Sequence, residues 1–218
     1  MYDLLRQKYF GINMKKTLLS LGLALVFANT AHAALVTYTD HASFLAAVSN
    51  PKVDDFEGTF QILNNAAMKA YSNGSIGYAS TSWSNLNIIS DGGFCWGCNG
   101  TGVMDLTSTN VGSSDGVYGF SMAMKKTSTY NAYFTFGDNS TYTVFNPSGY
   151  FGITSTSLIK HVEFAPALAQ IENTGSINFE QVTVAAAPAN EVPEPGSLAI
   201  LALGLLGLAG ARRMAARK

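Results

Sequence analysis

Cys95 and Cys98 lie in Gly92-Gly93-Phe94-Cys95-Trp96-Gly97-Cys98-Asn99-Gly100 and are the only two cysteines of the chain. Their spacing admits three chemistries. In an exported protein, two thiols three residues apart most simply close a disulfide that staples a turn, with Gly97 free to take a positive φ. A thioredoxin-like redox pair needs a helix N-terminus behind a strand, whereas these flanks read as glycine-rich loop. Zinc needs two further ligands, and past residue 33 only His41 and His161 remain, without metal-type spacing between them.

Gly112-Ser113-Ser114-Asp115-Gly116 has the form of a nucleophile elbow, Gly-x-Ser-x-Gly. That turn must follow a strand and open a helix, but here it runs into Val117 to Met124, which alternates as a strand does. A serine hydrolase would also have to use His41 or His161 as its base, and both read more simply as surface or strand residues. No catalytic residue is therefore assigned, and the expectation is a non-catalytic protein. The aromatic residues Tyr130, Tyr133, Phe134, Phe136, Tyr142, Phe145, Tyr150 and Phe151 are expected mostly in the core. A minority on a solvent-facing sheet would offer flat faces for stacking sugar rings.

The elements that must position these residues are mostly strands. Asp40 is placed to cap one short helix carrying Phe44, Leu45 and Val48, which Ser49-Asn50-Pro51 ends. Lys52 to Gly58 then reads as extended. Tyr118, Phe120, Met122 and Met124 alternate with Val117, Gly119, Ser121 and Ala123, putting large side chains on one face. Tyr130 to Phe136 and Thr141 to Phe145 flank Gly137-Asp138-Asn139-Ser140 as a hairpin. Tyr150 to Ile153 reads as a short strand closed by a Thr/Ser run. In Leu158 to Phe164, Leu158, Lys160, Val162 and Phe164 share one face, while Ile159, His161 and Glu163 take the other. Ile177 to Val184 changes phase, which a bulge near Glu180-Gln181 reconciles. Such strands between Gly, Asn, Ser and Thr turns predict an all-β, jelly-roll-like antiparallel β-sandwich with one short N-terminal helix.

The two ends of the chain are of another kind. Met14-Lys15-Lys16, the apolar stretch Leu18 to Phe27 and Ala31-His32-Ala33 read as the basic region, core and cleavage site of a signal peptide over residues 1–33, with Met14 as the start. At the other end, Pro193-Glu194-Pro195 is followed by an apolar run and then Arg212, Arg213, Arg217 and Lys218. The two prolines fix φ and remove donors, so the triplet stays extended, as a protease substrate should. The 14 residues from Leu198 to Ala211 make roughly 21 Å of helix against about 30 Å of hydrocarbon, short for a permanent anchor. The basic end favours the cytoplasmic side.

Triplet, marginal helix and basic end, in that order over residues 193–218, resemble the PEP-CTERM sorting signal. The resemblance implies recognition and cutting by an exosortase, a passing inner-membrane stage, and a cell-surface or extracellular destination rich in exopolysaccharide. The short helix leading into Asp55-Phe56-Glu57-Gly58 is likewise similar to the opening of PEP-CTERM proteins with a β-sandwich body. In the jelly-roll carbohydrate-binding modules that the body resembles, a structural calcium sits where the first and last strands run side by side. That resemblance implies Glu57 and Asn178 as ligands, with Asp54, Asp55 and Glu180 to compensate for an Asn where those modules carry Asp.

The expected organisation is thus a signal peptide (1–33), a β-sandwich (34–184), a linker (185–192) and a sorting signal (193–218). Between residues 34 and 192 five lysines face twelve Asp and Glu, a formal charge of −7. Nucleic acid, which calls for a basic face, is thereby excluded as a partner. The expected partners are signal peptidase and exosortase during processing, and extracellular polysaccharide afterwards, bound by a carbohydrate-binding module or held in a matrix. An exported hydrolase is the remaining alternative, and it would need paired carboxylates converging in a cleft.

Overall fold

Asp40 opens the first helix by accepting a hydrogen bond from the Ser43 amide at 2.8 Å, and α1 runs over His41–Ala46. The computed structural model describes residues 34–81, 86–97, 101–126, 129–166, 177–188 and 204. Two helices occur among the described residues of 34–188, against an expectation of one there. The second, α2 over Asn65–Tyr71, is capped by Asn64, whose side chain accepts from the Ala67 amide at 2.9 Å. Its Ala-rich turns form helix readily but bury only Met68, too little apolar surface to leave a periodic signal.

Twelve strands make up the rest: β1 Leu35–Tyr38, β2 Ser49–Asp54, β3 Gln61–Leu63, β4 Gly77–Ser80, β5 Asn87–Ser90, β6 Gly93–Trp96, β7 Gly102–Asp105, β8 Val117–Lys126, β9 Tyr130–Phe136, β10 Thr141–Phe145, β11 Gly149–Pro166 and β12 Ile177–Ala186. Every pairing is antiparallel.

β11 connects two layers. Its first half pairs with β8 and β1, and β8 leads on through β12 to β2 and to β6-β5-β3. Its second half lies between β9 and β7, in the order β10-β9-β11-β7-β4. The inner faces meet in one aromatic core. Phe164 of β11 packs on Phe179 of β12 at 5.0 Å and on Trp96 of β6 at 5.6 Å; Tyr78 meets Phe94 at 4.9 Å and Phe134 meets Phe120 at 5.9 Å. This is a β-sandwich, within the compact unit Ala33–Pro193. On the far side of the first layer, Phe44 of α1 lies on two glycines: a Cβ on Gly152 would sit 3.0 Å from its ring. A Cβ on Gly119 would sit 2.8 Å from Val48.

The hairpin forms with Thr141 opposite Thr135 and Asn139 at φ 64. The expected bulge in β12 is present, with the register shifting between Phe179 and Gln181. Other expectations are corrected. Ser49-Asn50-Pro51 starts β2 instead of only ending the helix, with Asn50 at φ 46. Thr154 and Ser155, read as the close of a short strand, continue β11, buried between β8 and β1. A register shift between Ile159 and His161 turns Ile159 into the core beside Val162 and Phe164. Ala185 is a buried strand residue opposite Gly119, so the sandwich extends past residue 184. Residues 1–33, expected as a signal peptide, residues 189–192 of the expected linker, the Pro-Glu-Pro triplet and the four basic residues lie outside the described residues. Gly204 alone of the tail is described, and it is helical.

Candidate functional site

The outward side chains of the second layer fall into three rows running across the strands. One row is Thr141, Thr135, His161, Asp105 and Gly77. The next is Thr143, Tyr133, Glu163, Val103 and Ala79. The third is Phe145, Asn131 and Ala165. Adjacent strands are about 4.8 Å apart, so five strands give a platform about 19 Å wide. Alternation holds on the inner strands, where the inward neighbours Phe134, Val162, Met104 and Tyr78 are fully buried and Glu163 is exposed, and it loosens at the edge strand β10, where inward Tyr142 is 36% exposed and outward Phe145 77%.

Polar contacts fix the platform's side chains. Asn131, only 5% exposed, donates from its amide to the Tyr133 hydroxyl at 3.1 Å and accepts from the Asn146 amide at 3.2 Å, which orients the Tyr133 ring. His161 Nδ1 stands 3.7 Å from Asp105 Oδ1. Burial acts to raise the Asp105 carboxyl, but the Thr107 amide and hydroxyl, together with the charges of His161 and Lys69, outweigh it and hold Asp105 below the usual carboxylate range. The face therefore combines a fixed aromatic ring, an exposed aromatic at the edge strand, and two carboxylates able to accept hydrogen bonds from hydroxyl or ammonium groups. The sequence placed His161 and Glu163 on one face together with Ile159, which the register shift sends into the core instead. It did not single out Asp105, Asn131 or Thr143, which reach the platform through register alone.

The residues expected to hold calcium are arranged differently. β2 and β12 do run side by side, with Asp54 opposite Val182. Asp54, however, turns inward, and its carboxylate accepts from the Ser72 hydroxyl at 2.7 Å, the Tyr78 hydroxyl at 2.7 Å and the Asn73 amide at 2.6 Å. Glu180 pairs with Lys125. Asn178 lies over Gly93, and the Asp55 carboxylate accepts from the Glu57 amide. Glu57 and Asn178 without Asp54 and Glu180 fit calcium poorly, since the ion takes six to eight oxygens. Among the described residues no three His, Cys, Asp or Glu side chains are grouped to hold a metal.

The disulfide is not found. Cys95 is a free thiol inside β6, opposite Ile88, and Cys98 lies outside the described residues. The glycine-rich stretch, expected as a loop, is a strand over Gly93–Trp96. Burial pushes the Cys95 thiol up, away from the lowered value a redox cysteine uses. At the elbow-like motif, Ser113 and Gly116 exchange backbone hydrogen bonds at 2.9 Å in a tight turn that opens strand β8.

Fold and platform together define an antiparallel β-sandwich with a partly exposed polar-aromatic sheet face. Residues 191–213 match the PEP-CTERM protein-sorting motif, so the chain carries this sorting signal at its end. The match includes the Pro193-Glu194-Pro195 triplet and Arg212 and Arg213. It implies an exported protein handled by an exosortase and destined for the cell surface. No curated protein and no solved structure matches the chain.

Proposed function

We propose that this protein is a non-catalytic, jelly-roll-like component of the cell surface or extracellular matrix that associates with exopolysaccharide through the platform of β10-β9-β11-β7-β4. Signal peptidase removes the first end during export. Exosortase removes the other after a passing stage in the inner membrane. The observation that carries the polysaccharide reading is the row Thr143-Tyr133-Glu163: a ring held by Asn131 beside an exposed carboxylate on an open sheet, the pairing that stacks a sugar and accepts its hydroxyls.

Affinity electrophoresis tests it. The purified unit Ala33–Pro193 is run through gels cast with and without the producing cell's own exopolysaccharide. The expected result is retardation in the loaded gel that Tyr133→Ala removes. Equal mobility of the folded protein in both gels overturns the binding reading and leaves a purely structural role.

A further inference from the structure

We propose that the platform selects an amino-bearing polysaccharide, one with free ammonium groups on its sugars, and turns away polyuronates, with Glu163 as the residue that makes the selection. This rests on the exopolysaccharide reading of the same face.

Glu163 stands in register between Tyr133 of β9 and Val103 of β7, and directly opposed side chains in an antiparallel pair are about 5 Å apart at Cβ. A sugar lying on the Tyr133 ring therefore has the Glu163 carboxylate as its neighbour. Glu163 is exposed, and among the described residues no lysine or arginine pairs with it. One row away, Asp105 is held ionised by its Thr107 and His161 contacts.

The lysines bordering this face donate to neutral groups and not to Glu163, and the charge of Lys69 is felt at Asp105. Lys160 donates to the Gly137 carbonyl at 3.0 Å, and Lys69 donates to the Ser108 hydroxyl at 3.0 Å. The ligand thus meets a flat ring with the Glu163 carboxylate beside it and Asp105 farther off, two strands from the ring and one row away, in a domain of formal charge −7. An ammonium group complements that pattern and a uronate repeats its sign.

Three oligosaccharides of equal length test the assignment against the purified unit Ala33–Pro193: a de-N-acetylated glucosamine oligomer, an uncharged glucose oligomer and a uronic acid oligomer. Each exposed charge pair is worth about a two- to five-fold change in affinity. The amino oligomer should bind up to about ten-fold tighter than the uncharged one at low salt, with the preference shrinking as salt rises, and the uronate should bind weakest. Glu163→Gln should cut the preference for the amino oligomer by about two- to five-fold while leaving the uncharged oligomer nearly unaffected. Asp91→Asn, in the β5–β6 turn of the other layer, should leave the preference intact.

Equal binding of uronate and amino oligomers overturns the selection, as does a preference that Glu163→Gln and Asp91→Asn lower alike, since that marks diffuse attraction to an acidic domain. Retention by the cell's own exopolysaccharide with no affinity for the amino oligomer sinks the selection while the broader reading stands. Failure to bind the exopolysaccharide as well sinks both.

Discussion

Asp54 closes three elements on one another. Its carboxylate, at the end of β2, takes hydrogen bonds from Ser72 and Asn73 behind α2 and from Tyr78 on β4, and all but 4% of the residue is buried. Burial raises its pKa, and the three donors only partly offset the rise. Burial, and then the charge of Asp54, push Tyr78 well above its usual value. The folded state therefore holds the Asp54 proton to higher pH than the unfolded chain does. Asp54's contribution to stability is complete below the ordinary carboxylate pKa of about 4, and is lost as pH rises through its folded value. Urea unfolding across that window should show stability falling with pH, and Asp54→Asn should flatten the slope. Asp54→Ala leaves the Tyr78 hydroxyl buried without its acceptor and should cost about 2–3 kcal/mol by the same measurement. Thr183 offers the opposite case. Its hydroxyl is fully buried in β12 with no hydrogen-bond partner among the described residues, so Thr183→Val keeps the β-branched shape and should stabilise the protein by about 1 kcal/mol.

Gly102 shows how tightly the elements meet. A Cβ there would lie 2.2 Å from the Trp96 ring, which bridges the layers by packing on Phe164 and Phe179. Gly102→Ala forces that ring aside and should lower stability by about 3 kcal/mol, read as a drop in melting temperature. Elements with strong local signals were legible in the sequence: the Asp40 cap, the β9–β10 hairpin and the bulge in β12 each follow from a few adjacent residues. The break in β11 was misread because Thr and Ser resemble a loop in composition, yet β8 and β1 bury Thr154 and Ser155 inside a strand. Helix α2 was missed because one buried methionine sets no period. The platform was half legible. Alternation put His161 and Glu163 on one face, but no local signal tells that residues 79, 103, 133, 143 and 163 share a row. That row is set by the pairing of five distant segments.

At the scale of the whole molecule, a β-sandwich is joined to a sorting motif, and the proposed function has both ends of the chain cut away. Both termini are short apolar segments attached to recognisable cutting signals, and residues 191–213 match the sorting motif. The surface form should lack both residues 1–33 and the apolar tail, which intact-mass measurement checks; a mass that retains residues 198–218 in an exosortase-containing cell would mark the tail as a permanent anchor. Among the described residues, α1 covers the first layer and no helix covers the platform of the second, where polymer binding is proposed. The most direct measurement titrates the producing cell's exopolysaccharide into the isotope-labelled unit Ala33–Pro193 and follows the backbone amide resonances. Shifts are expected at Asn131, Tyr133, Thr143, His161 and Glu163, with Phe44 of α1 and Gly119 and Gly152 beneath it unmoved. Shifts centred on α1, or none at polymer concentrations that saturate retention, would contradict binding at the platform.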